Sequence, residues 1–172
     1  TDVPVVSEMN GRQVAGAKGA MTDAGTRVPL VANWPGTIPS GRVSKDLIDF
    51  SDFLPTICAA TGTSIPSTLM IDGRSFLPQL KGQKGNARDW IYCWYSRDGT
   101  LPGKEWTRNQ RYKLYRTGKF YDVQSDVLEK TPLRVDKLGK RAVQAHAMLQ
   151  QALDKYEDAR PHKLRKTKQK RK

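Results

Sequence analysis

The chain has few of the side chains from which metal and hydrolytic sites are usually assembled. Its 172 residues include only two cysteines and two histidines. Cys58 and Cys93 lie far apart, as do His146 and His162, which excludes a disulfide framework and a zinc site of ordinary ligand spacing. A nucleophile elbow, a phosphate-binding loop and a paired-histidine motif are missing too, so these residues cannot form a complete catalytic constellation.

Recognisable targeting segments, namely a signal peptide or a membrane span, are also missing from this sequence. The sequence opens at Thr1 without Met, without a basic stretch and without an apolar segment, so it predicts neither a signal peptide nor a membrane span. We expect the true start of the protein to lie upstream, and localisation is therefore left open.

Positive charge is in excess, and its distribution matters for the choice of partner. The formal net charge is +13, but residues 160–172 hold eight of the 30 basic side chains and none of the 17 acidic ones. Such a segment has too little apolar surface to fold, so we predict a disordered basic tail. A solvated tail is the simpler interpretation, and weak contact with a polyanion is the alternative.

The first half of the sequence has the character of an α/β layer. Residues 1–26 are rich in small polar side chains and predict a long loop, and the apolar run VPLVAN (28–33) predicts a buried strand of a mostly parallel sheet. A helix is then expected from a cap at Ser51 or Asp52 to Gly62. Its predicted inward stripe comprises Phe53, Leu54, Ile57 and Cys58.

The second half changes character after Gly82. WIYCWYS (90–96) predicts one strand, and RYKLYRTGKFYDV (111–123) predicts two more, joined near Thr117 and Gly118. An amphipathic helix of about 20 residues follows. Its apolar stripe comprises Leu138, Ala142, Ala145, Leu149, Ala152 and Tyr156.

These patterns predict an α/β fold class with three segments. Residues 1–82 are expected to be the end of an α/β domain with a mixed sheet. Residues 83–159 are expected to form a small antiparallel α+β subdomain with a carboxy-terminal helix, and residues 160–172 form the tail.

One stretch has the character of an anion site. In GAKGAMTDAGTRVPLVANWPGTIPSG (16–41), Lys18 lies between Gly16 and Gly19 on a loop that precedes the apolar run. Glycines let the backbone approach a ligand closely, and an ammonium group offers a point charge to oxyanions. From the residues alone, an ordinary solvated loop lysine is the favoured interpretation of this pattern.

The order of motifs around Lys18 is more specific. The pattern K-G-x-x-x-[DE]-x-G-x-R-V-P, followed by an apolar run and W-P-G, resembles the sulfatase family of the alkaline-phosphatase-like superfamily. The resemblance covers roughly residues 10–130. Five later motifs follow in the family's order: VSKDL (43–47), SDFLPT (51–56), IDGRSFLPQLKG (71–82), RYKLYR (111–116) and FYDV (120–123).

The resemblance implies specific roles for this loop. Lys18 matches the family lysine that contacts the substrate's sulfate group, where it would stabilise charge on the sulfuryl oxygens or assist the bridging oxygen as it leaves. Asp23 stands where many relatives have Glu, and it is expected to hold the loop together with Gly25. Arg27 is expected to anchor the loop by a salt bridge.

The resemblance also implies what this sequence does not contain. The family uses a formylglycine nucleophile and a divalent cation, usually calcium, and their residues are expected upstream of Thr1. Asp2 is not expected to be a ligand. Cys93 begins a C-W-Y-S-R run that only superficially resembles the formylglycine motif, and His146 is expected at the surface.

The sequence therefore predicts the carboxy-terminal part of a sulfuric-ester hydrolase, inactive as an isolated fragment. Its partner would be a small-molecule or saccharide sulfate ester, and the resemblance implies a periplasmic, secreted or lysosomal setting. A phosphoester hydrolase or transferase of the same superfamily, a basic polyanion-binding module and a pseudoenzyme or truncated gene product stay open as alternatives.

Overall fold

The computed structural model describes residues 6–9, 11–97 and 103–158. The described residues form two compact units. One contains the described residues up to Pro29 together with those from Tyr92 onward, and the other is Leu30–Ile91. The predicted tail at 160–172 lies outside the described residues, and the predicted boundary at residue 82 stays a prediction.

The first unit begins with a hairpin where a long loop was predicted. Strand β1 (Val6–Met9) pairs antiparallel with β2 (Arg12–Ala15). Gly11 adopts a φ of 72° between them, a conformation that glycine reaches without steric cost. The loop prediction for 1–26 is therefore wrong over these strands, although an Asn-Gly pair is a recognised hairpin signal. A one-turn helix, α1 (Asp23–Thr26), follows.

A four-stranded antiparallel sheet forms the larger part of this unit. Its strands are β3 (Ile91–Tyr95), β4 (Lys104–Arg108), β5 (Tyr112–Tyr115) and β6 (Phe120–Asp122), in that spatial order. The predicted strands are confirmed, and Gly118 has the expected turn conformation at φ 83°. Strand β4 was not predicted, because the polar side chains Glu105 and Thr107 occupy buried positions within it.

Helix α4 (Lys140–Lys155) packs against β4 and β5. The predicted apolar stripe is confirmed. The helix has 16 residues and is shorter than predicted, because Leu138 lies just before its start and Tyr156 forms its carboxy-terminal cap. The Thr107 hydroxyl donates to the Leu149 carbonyl across this contact, at 2.9 Å. The buried side chains of the helix are Ala142, Ala145, Leu149, Ala152 and Leu153.

The second unit contains the predicted helix, preceded by a capped 3-10 turn. A 3-10 turn (Phe50–Asp52) leads into α2 (Phe53–Thr61), which ends at Gly62 with φ 70° as expected. Asp49 caps the turn, because its carboxylate accepts from the Ser51 amide at 2.9 Å while Asp52 accepts from the Asp49 amide at 2.8 Å. Asp52, one of the two predicted caps, is the N-cap residue of α2, but its side chain makes no capping hydrogen bond to that helix and belongs to this reciprocal pair instead. A short helix, α3 (Leu77–Leu80), follows.

The inward stripe predicted for α2 is only partly correct. Leu54 and Ile57 are 47% and 58% exposed, while Pro55 and Thr56 are buried. Thr56 is buried because its hydroxyl accepts from the Phe76 amide at 3.0 Å and donates to the Asp52 carbonyl at 2.6 Å. A polar contact has therefore replaced part of the apolar face.

The strand predicted at 28–33 does not form. Val28, Leu30 and Val31 are 62%, 45% and 88% exposed, and the segment has no regular secondary structure. A buried strand needs neighbours on both edges and both faces, and no strand of the described residues pairs with this segment. Its apolar sequence thus stays exposed in this chain.

Candidate functional site

Lys18 lies at the corner of a tight turn in the first unit. The Ala20 amide donates to the Ala17 carbonyl at 2.8 Å, and Gly19 has a φ of 80°. A positive φ at the third turn residue is the requirement of a type II turn, which explains the glycine directly after the lysine. The side chain of Lys18 is exposed, so its ammonium group is accessible to a solution anion.

Gly25 brings α1 against the carbonyl groups of this turn. A Cβ atom built on Gly25 would lie 2.2 Å from the Ala20 oxygen and 2.5 Å from the Ala17 oxygen. No side chain can occupy that space without displacing the backbone. The absent side chain of Gly25 therefore allows α1 and the Lys18 turn to pack in direct backbone contact.

Asp23 connects α1 to the antiparallel sheet. Its buried carboxylate forms an ion pair with Arg108 at the end of β4, and both side chains are about nine-tenths buried. Arg27 approaches the same carboxylate from the exposed side, at 3.9 Å between Nη1 and Oδ2. Because the second contact is long and exposed, Arg108 is the principal partner of Asp23.

A second buried cation lies beside this ion pair. The ammonium group of Lys113, on β5, donates to the Met21 carbonyl and to Glu129 Oε1, the latter at 2.8 Å. The Tyr115 hydroxyl is hydrogen-bonded to Glu129 and lies 3.3 Å from the same Met21 carbonyl. Residues on the sheet thus hold the backbone immediately after the Lys18 turn.

Burial and charge act in opposite directions on these groups. Burial lowers the pKa of Lys113, and the hydrogen bond and negative charge of Glu129 partly oppose that shift. Burial and the neighbouring Glu129 carboxylate raise the pKa of the Tyr115 hydroxyl well above its ordinary value. The Lys113 ammonium also lies 4.3 Å from the centre of the Trp106 ring, a favourable cation–π distance.

Sequence reasoning found Lys18, Asp23, Gly25 and Arg27 but missed the residues that contact this segment from the sheet. Arg108 and Lys113 lie in strands whose other residues gave no functional pattern, and Asp23 and Arg108 are separated by 85 positions. The available signal was the basic side chain at the centre of RYKLYR, which lies between aromatic and apolar neighbours in a predicted strand. A buried lysine needs a carboxylate partner.

The second unit contains a separate buried ion pair. The Asp52 carboxylate accepts from the guanidinium of Arg88, from the Arg74 amide at 2.6 Å and from the Asp49 amide at 2.8 Å. Burial opposes ionisation of Asp52, but these hydrogen bonds outweigh it and hold the pKa of its carboxyl below 3.8. Arg88 also donates to the Asp72 carbonyl. The Asp52–Arg88 ion pair therefore fixes the loop that contains Asp72 and Arg74 against the start of α2.

The remaining candidates have ordinary environments. Cys93 is half-buried on β3, Cys58 is half-buried on α2, and neither forms a disulfide. His146 is half-buried, not at the surface as expected, because its ring packs edge-on against Phe120 at 5.1 Å.

The described residues contain neither a candidate metal cluster nor a membrane-spanning helix. Within 6–9, 11–97 and 103–158, no group of three or more His, Cys, Asp or Glu side chains is arranged to hold a metal ion. In the same part of the chain no helix has the length and apolar character needed to cross a membrane.

The first unit thus combines an antiparallel sheet covered by a carboxy-terminal helix with a preceding turn that carries an exposed lysine. A family model described as N-sulphoglucosamine sulphohydrolase, C-terminal, matches residues 16–158, and the chain belongs to this family of sulfatase carboxy-terminal regions. The sulfatase resemblance is thereby confirmed. The predicted α/β class with an antiparallel sheet and a carboxy-terminal helix is confirmed by the architecture itself.

Two curated relatives and one solved structure are similar to parts of this chain. The chain is 32% identical over 137 residues to an ulvan-active sulfatase of Formosa agariphila, covering 76% of this chain and 27% of the relative. It is 33% identical over 103 residues to an N-acetylgalactosamine-6-sulfatase of Canis lupus familiaris, covering 56% and 19%. A solved structure of a 2-O GAG sulfatase aligns with a TM-score of 0.49 at 25% identity, covering 62% and 25%.

The chain therefore spans about a quarter or less of the length of these curated relatives.

Proposed function

We propose that this chain is the carboxy-terminal portion of a sulfuric-ester hydrolase and that Lys18 contacts the substrate's sulfate group. The observation that carries the proposal is the exposed Lys18 side chain on a turn that is fixed on its inner side. An electrophilic group lowers a barrier most when it is already oriented toward the developing charge. The family match over residues 16–158 supports the choice of a sulfate ester.

In this proposal the surroundings of Lys18 provide orientation. The Asp23 carboxylate, paired with Arg108, and the backbone contact at Gly25 fix the turn, and Arg27 adds a weaker exposed contact to Asp23. None of these groups takes part in the breaking or forming of bonds in the proposed reaction. The nucleophile and the family's metal, for which we propose calcium, would be held by residues outside this 172-residue chain.

The substrate class follows from the same reasoning. A small-molecule or saccharide sulfate ester is proposed, and the name of the N-acetylgalactosamine-6-sulfatase relative refers to a sulfated hexosamine. A lysine contacts non-bridging oxygens as a point charge, without reading the rest of the substrate. Lys18 therefore accounts for recognition of the anionic group and leaves the alcohol unspecified.

The test uses the complete reading frame from which this chain comes. Hydrolysis of a generic aryl sulfate and of a sulfated hexosamine is measured for the parent sequence and for Lys18→Ala. We expect kcat to fall about 10²- to 10³-fold, the usual loss when one group that stabilises transition-state charge is removed. Lys84→Ala, at another exposed loop lysine, is the matched control and should retain full activity.

Three results would contradict the proposal. The first is a reading frame that starts at Thr1, which would favour the pseudoenzyme or truncated product. The second is an unchanged kcat for Lys18→Ala, and the third is preferential hydrolysis of the matching aryl phosphate, which would favour the phosphoester alternative. The isolated 172-residue chain is expected to have no turnover.

A further inference from the structure

Lys113 is the most deeply buried cation among the described residues. Its side chain has no exposed surface, although it lies on a short strand of a small sheet. A charged ammonium group is rarely fully buried unless specific partners compensate for its lost hydration. The partners of Lys113 are therefore informative about its role.

Two oxygen acceptors account for this burial. Glu129 supplies the compensating charge, with Oε1 2.8 Å from Nζ, and the Met21 carbonyl supplies the second acceptor. Glu129 itself has a φ of 53°, which is uncommon for a residue other than glycine. Such a conformation persists where the surrounding contacts fix it, and here both carboxylate oxygens of Glu129 are hydrogen-bonded.

The position of Met21 decides what this cluster can influence. Met21 follows Ala20, which closes the Lys18 turn, and lies two residues before Asp23, which is paired with Arg108. The backbone from the turn to α1 is thus held at two points, a carbonyl and a carboxylate. Both contacts come from cations on adjacent strands of the same sheet.

Resting on the function proposed above, we propose that Lys113 is a positioning residue for Lys18. The Glu129-compensated ammonium fixes the Met21 carbonyl and thereby holds the turn in the orientation that presents Lys18. Lys113 itself does not contact the substrate. Loss of its contact releases the turn locally while the sheet stays folded.

The experiment measures hydrogen exchange at two amides of the full chain. The Ala20 amide, bonded to the Ala17 carbonyl, reports on the turn, and the Val123 amide, bonded to the Arg111 carbonyl at 2.8 Å, reports on the sheet. Lys113→Met alone would leave the Glu129 carboxylate buried and unpaired, so the variant used is Lys113→Met with Glu129→Gln. This double substitution removes both charges at similar side-chain length.

We expect exchange at Ala20 to rise about tenfold or more relative to exchange at Val123, because a local opening affects only the amides that it exposes. A purely structural role would accelerate both amides together and leave their ratio unchanged. The control is Arg116→Met with Glu105→Gln, which removes an ion pair between β4 and the residue after β5, with Glu105 buried and Arg116 28% exposed. The control should leave the ratio unaltered.

Activity of the complete reading frame provides a separate arm. The Lys113→Met, Glu129→Gln pair should lower kcat/KM, and the loss should largely disappear in a Lys18→Ala background, because groups that act through one another are non-additive. An unchanged exchange ratio, or equal losses in both backgrounds, would overturn the positioning role. If Lys18→Ala alone has no effect, the proposed function fails while the exchange ratio still decides whether Lys113 holds the turn.

Discussion

Replacing Gly25 by alanine tests whether the Lys18 turn depends on direct backbone contact with α1. The new Cβ would lie 2.2 Å from the Ala20 oxygen, 2.5 Å from the Ala17 oxygen and 2.9 Å from the Ala20 carbonyl carbon. All three atoms belong to the backbone, so no rotamer change can relieve the clash. The turn must retreat from α1 by about 1 Å to restore ordinary contact.

The energetic cost can be estimated from two opposing effects. Overpacking of this kind costs about 1–3 kcal/mol, and the backbone location favours the upper value. Alanine is a better helix residue than glycine by up to about 1 kcal/mol, which offsets part of the cost. We therefore expect Gly25→Ala to lower the free energy of unfolding by about 2 kcal/mol, a factor of about 30 in the unfolding equilibrium.

Urea unfolding of the full chain provides the measurement, with hydrogen exchange at the Ala20 amide as the local probe. Gly139→Ala is the control, because that position has no atom within 4 Å of a new Cβ and no positive φ. Gly139 caps α4, where alanine is a poorer cap, so at most about 1 kcal/mol should be lost. If Gly25→Ala were no more destabilising than Gly139→Ala and left Ala20 exchange unchanged, the close-contact reasoning would be wrong.

Two further predictions concern stability. The folded-state pKa of Asp52 lies below 3.8, so its ionisation stabilises the protein fully above that pH and progressively less as pH falls through the folded pKa. Urea midpoints measured from pH 7 to pH 2 should fall more steeply in the parent chain than in Asp52→Asn. The acid loss that remains in the variant comes from Asp122, where burial acts to raise the pKa but the hydrogen bond and charge of Arg111 lower it overall. Leu149→Ala, at a side chain with no exposed surface, should cost about 2–5 kcal/mol in urea unfolding, whereas Val143→Ala on the same helix, at 50% exposure, should cost under about 1 kcal/mol. Equal losses for these two variants would contradict the packing account of α4.

The local elements were predictable wherever one pattern dominated. The hairpin of β5 and β6 follows from Gly118 between two aromatic strands, and α4 follows from apolar residues three and four positions apart. The motif around Lys18 indicated the sulfatase family from the sequence alone. These features depend on neighbours in sequence, so their information is local.

The predictions failed where the outcome depended on distant partners. The run VPLVAN has the composition of a buried strand but no partner strand among the described residues. Strand β4 was missed because Glu105 is buried by its ion pair with Arg116 and Thr107 by its bond to α4. Composition alone cannot indicate that a polar side chain will find such a partner.

The sequence by itself determined the family, three of the four strands of the antiparallel sheet and the carboxy-terminal helix. The glycines at 19 and 25 are also explained by local backbone requirements once the turn is recognised. Only the tertiary structure brought Arg108 to Asp23 and Lys113 to the Met21 carbonyl, across 85 and 92 positions. The physical reason is that a buried charge takes whichever counter-charge or carbonyl the completed fold places beside it, and strand pairing and packing decide that neighbour.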